Sequence, residues 1–271
     1  MKIKAIKAKQ VLTSTGKPTI EVALETDKGV FCASAPFGIS AGKQEAVSLP
    51  AQQAMQNIEK IIQPALAGKN FKTQKKLDKF LIRVDGTKNK SQLGGNAILA
   101  ISIAFLRGLA CDNKMPLWKY IAKIAKTKPY LPKPLVLLIE GGKHGKGKLA
   151  FQEFLFAPNG ETFSEQFAAG KEAYNNVRQT LQEKETGAEG AFIPNITEQE
   201  TLAVIAKAIQ GKGGIGLDVA ASSFFENNKY NFQGKQLTGE QMGEVYACLA
   251  QKYPIISIED PFAETDFVAW K

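Results

Sequence analysis

A chain of 271 residues, 44% hydrophobic and 23% charged, has room for one large domain or two ordinary ones, and its composition excludes a disordered or fibrous polymer. Its formal net charge of +9 is unevenly spread: residues 1–150 hold 26 Lys and Arg against 9 Asp and Glu, and residues 151–271 hold 9 against 17. Cys32, Cys111 and Cys248 lie far apart with no CxxC spacing, the start has no apolar leader, and the longest apolar run is Ala97 to Leu106; this pattern excludes a disulfide framework, structural zinc and a membrane span, and predicts a cytoplasmic protein.

Residues 1–34 read as strands and turns. Ile3 to Leu12 and Thr19 to Leu24 are β-rich, with a break at Gly16-Lys17-Pro18 and a hairpin turn at Asp27-Lys28-Gly29. A glycine-bearing loop, Pro36 to Gly42, leads into residues 50–125, which read as several helices. Leu93 to Leu109 carries Ala, Ile and Leu on most faces, the pattern of a deeply buried helix. Three prolines between Thr127 and Pro134 mark a linker, so the expected domains are 1–126 and 127–271. The lysines of the first half are scattered without interleaved aromatics, as on a solvated surface, and nucleic acid is not an expected partner.

Beyond the linker, strand and helix patterns alternate. Leu135 to Ile139 and Ala150 to Ala157 read as strands, and 162–184 and 197–210 as helices, the second opened by the capping box Thr197-Glu-Gln-Glu200. Ile215 to Ala220 is a strand, Glu226-Asn227-Asn228-Lys229 a polar hairpin, and Thr238-Gly-Glu-Gln241 opens a helix with Met242, Val245 and Leu249 on one face. Pro254 to Ile258 is the last apolar strand. Alternation of this kind predicts parallel strands with helical crossovers, in a doubly wound sheet or a (β/α) barrel, with chemistry at the strands' carboxyl ends.

Four acids fall at or near such ends: Glu153, Asp218, Glu259 and Asp260. A salt-bridge role is open to each alone. Several converging from different strands favour a hard-metal site, because carboxylate oxygens suit Mg²⁺ or Mn²⁺. The run Gly142 to Leu149 nearly spells a phosphate-cradling loop, but Leu149 stands where Ser or Thr is needed and a strand, not a helix, is predicted to follow.

Eight blocks, in order and with near-family spacing, resemble enolase. Ser14-Thr-Gly-Lys-Pro-Thr-Ile-Glu21 is similar to SRGNPTVE, and Pro36-Phe-Gly-Ile-Ser-Ala-Gly42 to PSGASTG. Asp85 to Ser91 resembles DGTxNKS, and Leu93 to Ala100 resembles LGANAILA. Gly141-Gly-Lys-His144 with Lys148 to Phe154 resembles GGxH…KLAxQEF, and Gly187 to Asn195 resembles GDEGGFAPN. Gly216 to Ser222 and Ser257 to Glu264 are similar to GLDxAAS and SIEDPFAE.

The resemblance implies an α+β N-terminal domain followed by the first part of an enolase-type (β/α) barrel, incomplete in this chain. It implies dehydration of 2-phosphoglycerate to phosphoenolpyruvate with Mg²⁺. By position, Asp218 and Glu259 match two of three carboxylates on the first metal, and Ser40 a loop serine reaching a second. Glu189 matches the acid assisting hydroxide departure and Glu153 its partner. Gln152 and His144 match substrate-side residues, His144 on a closing loop. The family's third metal carboxylate, catalytic lysine, phosphate-binding Arg-Ser pair and second substrate lysine fall later than Lys271 in the family order, so the 271 residues alone are expected to lack turnover. A homodimer or a complementing C-terminal chain is the implied partner. Substitutions against the family pattern (Thr15 for Arg, Phe37 for Ser, Gln44 for His, Glu140 for Asn, Ala188 for Asp) leave an alternative: a non-catalytic relative acting as a binding or scaffold protein.

Overall fold

The computed structural model describes residues 1–38, 42–142, 147–182, 185–187 and 189–271. Ser40 and His144, expected at the site, lie outside the described residues. Two compact units divide the chain, Met1–Tyr130 and Leu131–Lys271.

The first unit opens with an antiparallel meander, β1 (Ile3–Leu12), β2 (Pro18–Thr26) and β3 (Gly29–Ser34). The sequence-predicted turn sits between β2 and β3, where Thr26 Oγ1 donates to the Gly29 carbonyl at 2.9 Å. Helical segments follow: α1 (Ala51–Asn57), a π-helical turn (Ile58–Ile62), α2 (Gln63–Leu66), α3 (Gln74–Asp85), α4 (Gly95–Asp112) and α5 (Leu117–Ala125). The apolar α4 packs on β2 and β3 and buries Ala97, Ile101, Ala104, Phe105 and Leu109. Burial is one-sided, since Leu99 remains exposed. Asp85 closes α3 with a buried carboxylate that accepts the N–H groups of Leu93 (2.7 Å) and Thr87 (2.9 Å), so the turn into α4 is tied to the end of α3.

In the second unit a four-stranded sheet runs in the order β10-β6-β5-β4, built from β4 (Val136–Glu140), β5 (Glu153–Pro158), β6 (Gly213–Asp218) and β10 (Ile255–Glu259). Between them lie α6 (Phe163–Leu181), α7 (Glu198–Ile209), a small antiparallel sheet of β7 (Phe225–Glu226), β8 (Lys229–Phe232) and β9 (Lys235–Leu237), and α8 (Gly239–Lys252). Asn227 and Asn228 form the β7–β8 turn with φ of 51° and 59°, a left-handed conformation that asparagine tolerates. Capping boxes at Thr162, Thr197 and Thr238 start the three helices; the side-chain oxygen of each threonine accepts the N–H of the third helical residue. Met242 and Leu249 of α8 are buried, as the sequence predicts.

One expectation is corrected. The strands are not all parallel: β5 is antiparallel to both β4 and β6, and only β6 and β10 run together. The cause is in the connections. The β4–β5 link holds no helix among its described residues, and β5 reaches β6 through two helices in succession. Each pass along the sheet reverses direction, so two helical passes bring the chain back antiparallel, whereas a single crossover gives a parallel neighbour. Glu153 accordingly stands at the amino start of its strand, not at a carboxyl end.

The sheet is open. The outer edge of β10 pairs with no strand among the described residues, and Ile256 on it is 63% exposed. No closed barrel forms among these elements.

Candidate active site

Phe151 fixes the start of β5. Its fully buried ring stacks on Phe232 (5.3 Å between centroids) and Phe154 (6.0 Å) and leans on Tyr246 (5.9 Å). One residue earlier, the N–H of Ala150 donates at 2.7 Å to Glu198, a buried acid in the first turn of α7. A side chain locked in the core and a backbone clamp therefore deliver Gln152 and Glu153 to the sheet edge in one fixed orientation.

Register does the rest. Glu140 pairs with Glu153, Glu153 with Asp218, and Asp218 with Glu259, so four acids stand opposite one another across four strands. Directly opposed residues on adjacent strands share a face. Two of the row's strands leave it through non-glycine left-handed residues, Ala220 (φ 46°) and Asp260 (φ 45°), a costly conformation that recurs at functional sites. Backbone bonds tie these ends together: Gln152 N–H donates to the Asp218 carbonyl at 3.0 Å, and Val219 N–H to the Glu259 carbonyl at 3.0 Å. Asp218 accepts from Gln152 Nε2 (3.1 Å) and from the Ala220 N–H (3.0 Å).

Opposed carboxylates repel, and the site carries the consequence. Burial, then the charges of Glu189, Asp218, Glu259 and Glu140, push the Glu153 carboxyl up to about 7. Burial and the Glu259 charge also raise Asp218, partly offset by the Ala220 N–H. A carboxyl near 7 holds a proton at neutral pH and can donate it. Glu189 arrives from a different element, the loop between α6 and α7, and its charge is the strongest of those acting on Glu153.

The structure thus brings Gln152, Glu153, Asp218, Glu189 and Glu259 to one end of the sheet. Asp260, fourth in the sequence-based set, lies just past the row and adds to the charge on Asp218. The fourth row member is Glu140, which sequence reasoning registered only as a substitution. An acid closing the apolar run Leu135 to Ile139 was the available signal. The near-phosphate loop is followed by irregular residues 147–152 and then β5, so it has no helix N-terminus to offer.

Two family models cover nearly the whole chain: that of the enolase N-terminal domain matches residues 3–121, and that of the enolase C-terminal TIM barrel domain matches residues 128–271. The chain belongs to the enolase family. Enolases are lyase-type enzymes that generally use Mg²⁺, and the donor chemistry here suits that ion: hard carboxylate oxygens under mutual repulsion, which a divalent cation relieves. No group of three or more acidic, His or Cys side chains with metal-holding geometry occurs among the described residues. Two carboxylates side by side, Asp218 and Glu259, offer part of such a donor set and no more. Away from this row, Glu21 pairs within its own sheet with Lys9 at 2.7 Å.

Proposed function

We propose that this chain carries the acidic portion of an enolase site and dehydrates 2-phosphoglycerate to phosphoenolpyruvate once a further polypeptide segment supplies the remaining groups. The observation that supports this most is the in-register row, in which Asp218 and Glu259 lie side by side and Glu153 faces Asp218 with Glu189 close by. Asp218 and Glu259 would hold Mg²⁺. When bound, the ion offers positive charge to the carboxylate of the substrate. In the reaction a base outside these residues takes the C2 proton, and the C2–H electron pair becomes the C2–C3 double bond. Glu189 gives its proton to the C3 hydroxyl, which departs as water, and Glu153 beside it keeps a proton available. Gln152 orients Asp218 through its amide.

The open outer edge of β10 leaves room for a further strand beside Glu259. The test is to mix the chain with a polypeptide carrying the later part of an enolase barrel and to follow phosphoenolpyruvate. Formation that depends on both chains and on Mg²⁺, and is lost in Asp218→Asn, supports the reading. No product at any ratio rejects it. The exposed free thiols of Cys32, Cys111 and Cys248 accord with a reducing, cytoplasmic setting.

A second reading, a non-catalytic enolase relative with a binding or scaffold role, is favoured by Glu140, which places an additional acid in the row where the family pattern has an amide. Salt-sensitive binding of a polyanion to the lysine-rich first unit supports it, and no binding at low ionic strength rejects that form of it.

A further inference from the structure

Glu140 is fully buried, and its carboxylate is met by backbone donors. Its donors include the backbone N–H of Ala191, at 2.9 Å to Oε1, and that of Glu189, at 3.3 Å to Oε2 and 3.4 Å to Oε1. Two amides of one turn pointing at one carboxylate make a small anion-binding concavity, here filled by the protein's own side chain. The same loop is stitched to β4 by backbone: Glu140 N–H donates to the Phe192 carbonyl at 3.0 Å, and Phe192 N–H to the Leu138 carbonyl at 3.2 Å. Tyr174 secures the other side, donating its hydroxyl to the Gly190 carbonyl at 2.8 Å, with its ring tilted against that of Phe192 at 4.6 Å between centroids. Gly187 is the fit condition. A Cβ there would fall 2.3 Å from the Glu140 carboxyl carbon, so only glycine lets the turn wrap the carboxylate this closely.

We propose that Glu140 is the positioning residue for Glu189. Its buried carboxylate grips the backbone of Glu189 and Ala191, which leaves the exposed Glu189 side chain directed at Glu153. The extra negative charge that departs from the family pattern serves the loop rather than a cation. Its catalytic consequence rests on the reading of Glu189 as the departing-group acid, whereas the positioning itself does not.

The two parts separate experimentally. In the ¹⁵N-labelled 271-residue chain, amide signals and hydrogen exchange are followed in Glu140→Ala, Glu140→Gln and Gly187→Ala. The charge-assisted bonds predict that Glu140→Ala shifts the Glu189 and Ala191 amides and speeds their exchange about ten- to a hundredfold, while Ile215 and Leu217 of β6 keep theirs. Glu140→Gln, which retains an acceptor oxygen, restores most of the protection. Gly187→Ala disturbs the same two amides with the carboxylate intact, and reads the contact even where Glu140→Ala fails to fold. Unchanged Glu189 and Ala191 amides in Glu140→Ala and Gly187→Ala overturn the proposal. In the complemented enzyme, Glu140→Ala lowers kcat at least about tenfold with KM held within about twofold; unchanged kcat beside responsive amides overturns the catalytic consequence. Responsive amides in a chain that makes no phosphoenolpyruvate under any complementation leave the positioning standing and remove the enolase reaction.

Discussion

Each unit takes a carboxylate out of water, Asp85 wholly and Glu153 in part, and the two meet opposite fates. In the first unit burial pushes Asp85 upward, but the Thr87 hydroxyl and the N–H groups of Leu93 and Thr87 outweigh it and hold the carboxyl below its usual range. In the second, Glu153 meets burial and like charges together and rises to about 7. Burial alone decides nothing; what faces the carboxylate does. A donor-lined carboxylate locks a turn. Carboxylates that face one another store repulsion, which a cation or a proton can relieve.

The contrast can be broken in order of expected effect. Phe151→Ala empties the aromatic stack under the acid row and should cost about 3–5 kcal/mol, read by urea unfolding of the second unit. Asp85→Ala strands the Leu93 and Thr87 amides in the first unit and should cost about 1–3 kcal/mol in the same measurement. Thr238→Ala removes the cap of α8 and should cost about 1 kcal/mol. The pH-dependent effect is the most diagnostic. Because the Glu153 pKa is raised on folding, its share of stability is complete below about 4.5 and is lost as pH rises through about 7. Glu153→Gln should flatten the stability–pH curve in that window and stabilise the chain at pH 8. Asp85, whose pKa is lowered, contributes in the opposite sense: its stabilisation is present above the ordinary aspartate range and fades as pH falls through the folded value. Millimolar Mg²⁺ that flattens the Glu153 slope in the wild type, and does so less in Asp218→Asn, would tie the repulsion to cation binding; an unaltered slope would separate them.

Local chemistry was legible in the sequence. The Asp27-Lys28-Gly29 turn, the Thr197–Glu200 box and the buried face of α8 are each written in a few adjacent residues, and the structure forms all three. Strand direction was harder to read, because it depends on how many times the chain crosses the sheet. The two helical stretches between Ala157 and Ile215 held that answer, but alternation alone suggested parallel neighbours. At the candidate site the same division holds. Glu153, Asp218 and Glu259 stood out as acids beside apolar runs. Glu140 did not, because its importance lies in amides some fifty residues away and in a glycine that clears space for it.

The bare flank of β10 has a practical side. A strand that pairs on one flank only among the described residues, with an exposed isoleucine, is a template for any extended segment it meets, including the same flank on a second molecule. Protein concentration is therefore an experimental variable for this chain. Dilute samples, or a lysine at Ile256, keep copies apart while the acid row is probed, and the wild-type flank is the one to use when recruiting a complementing polypeptide.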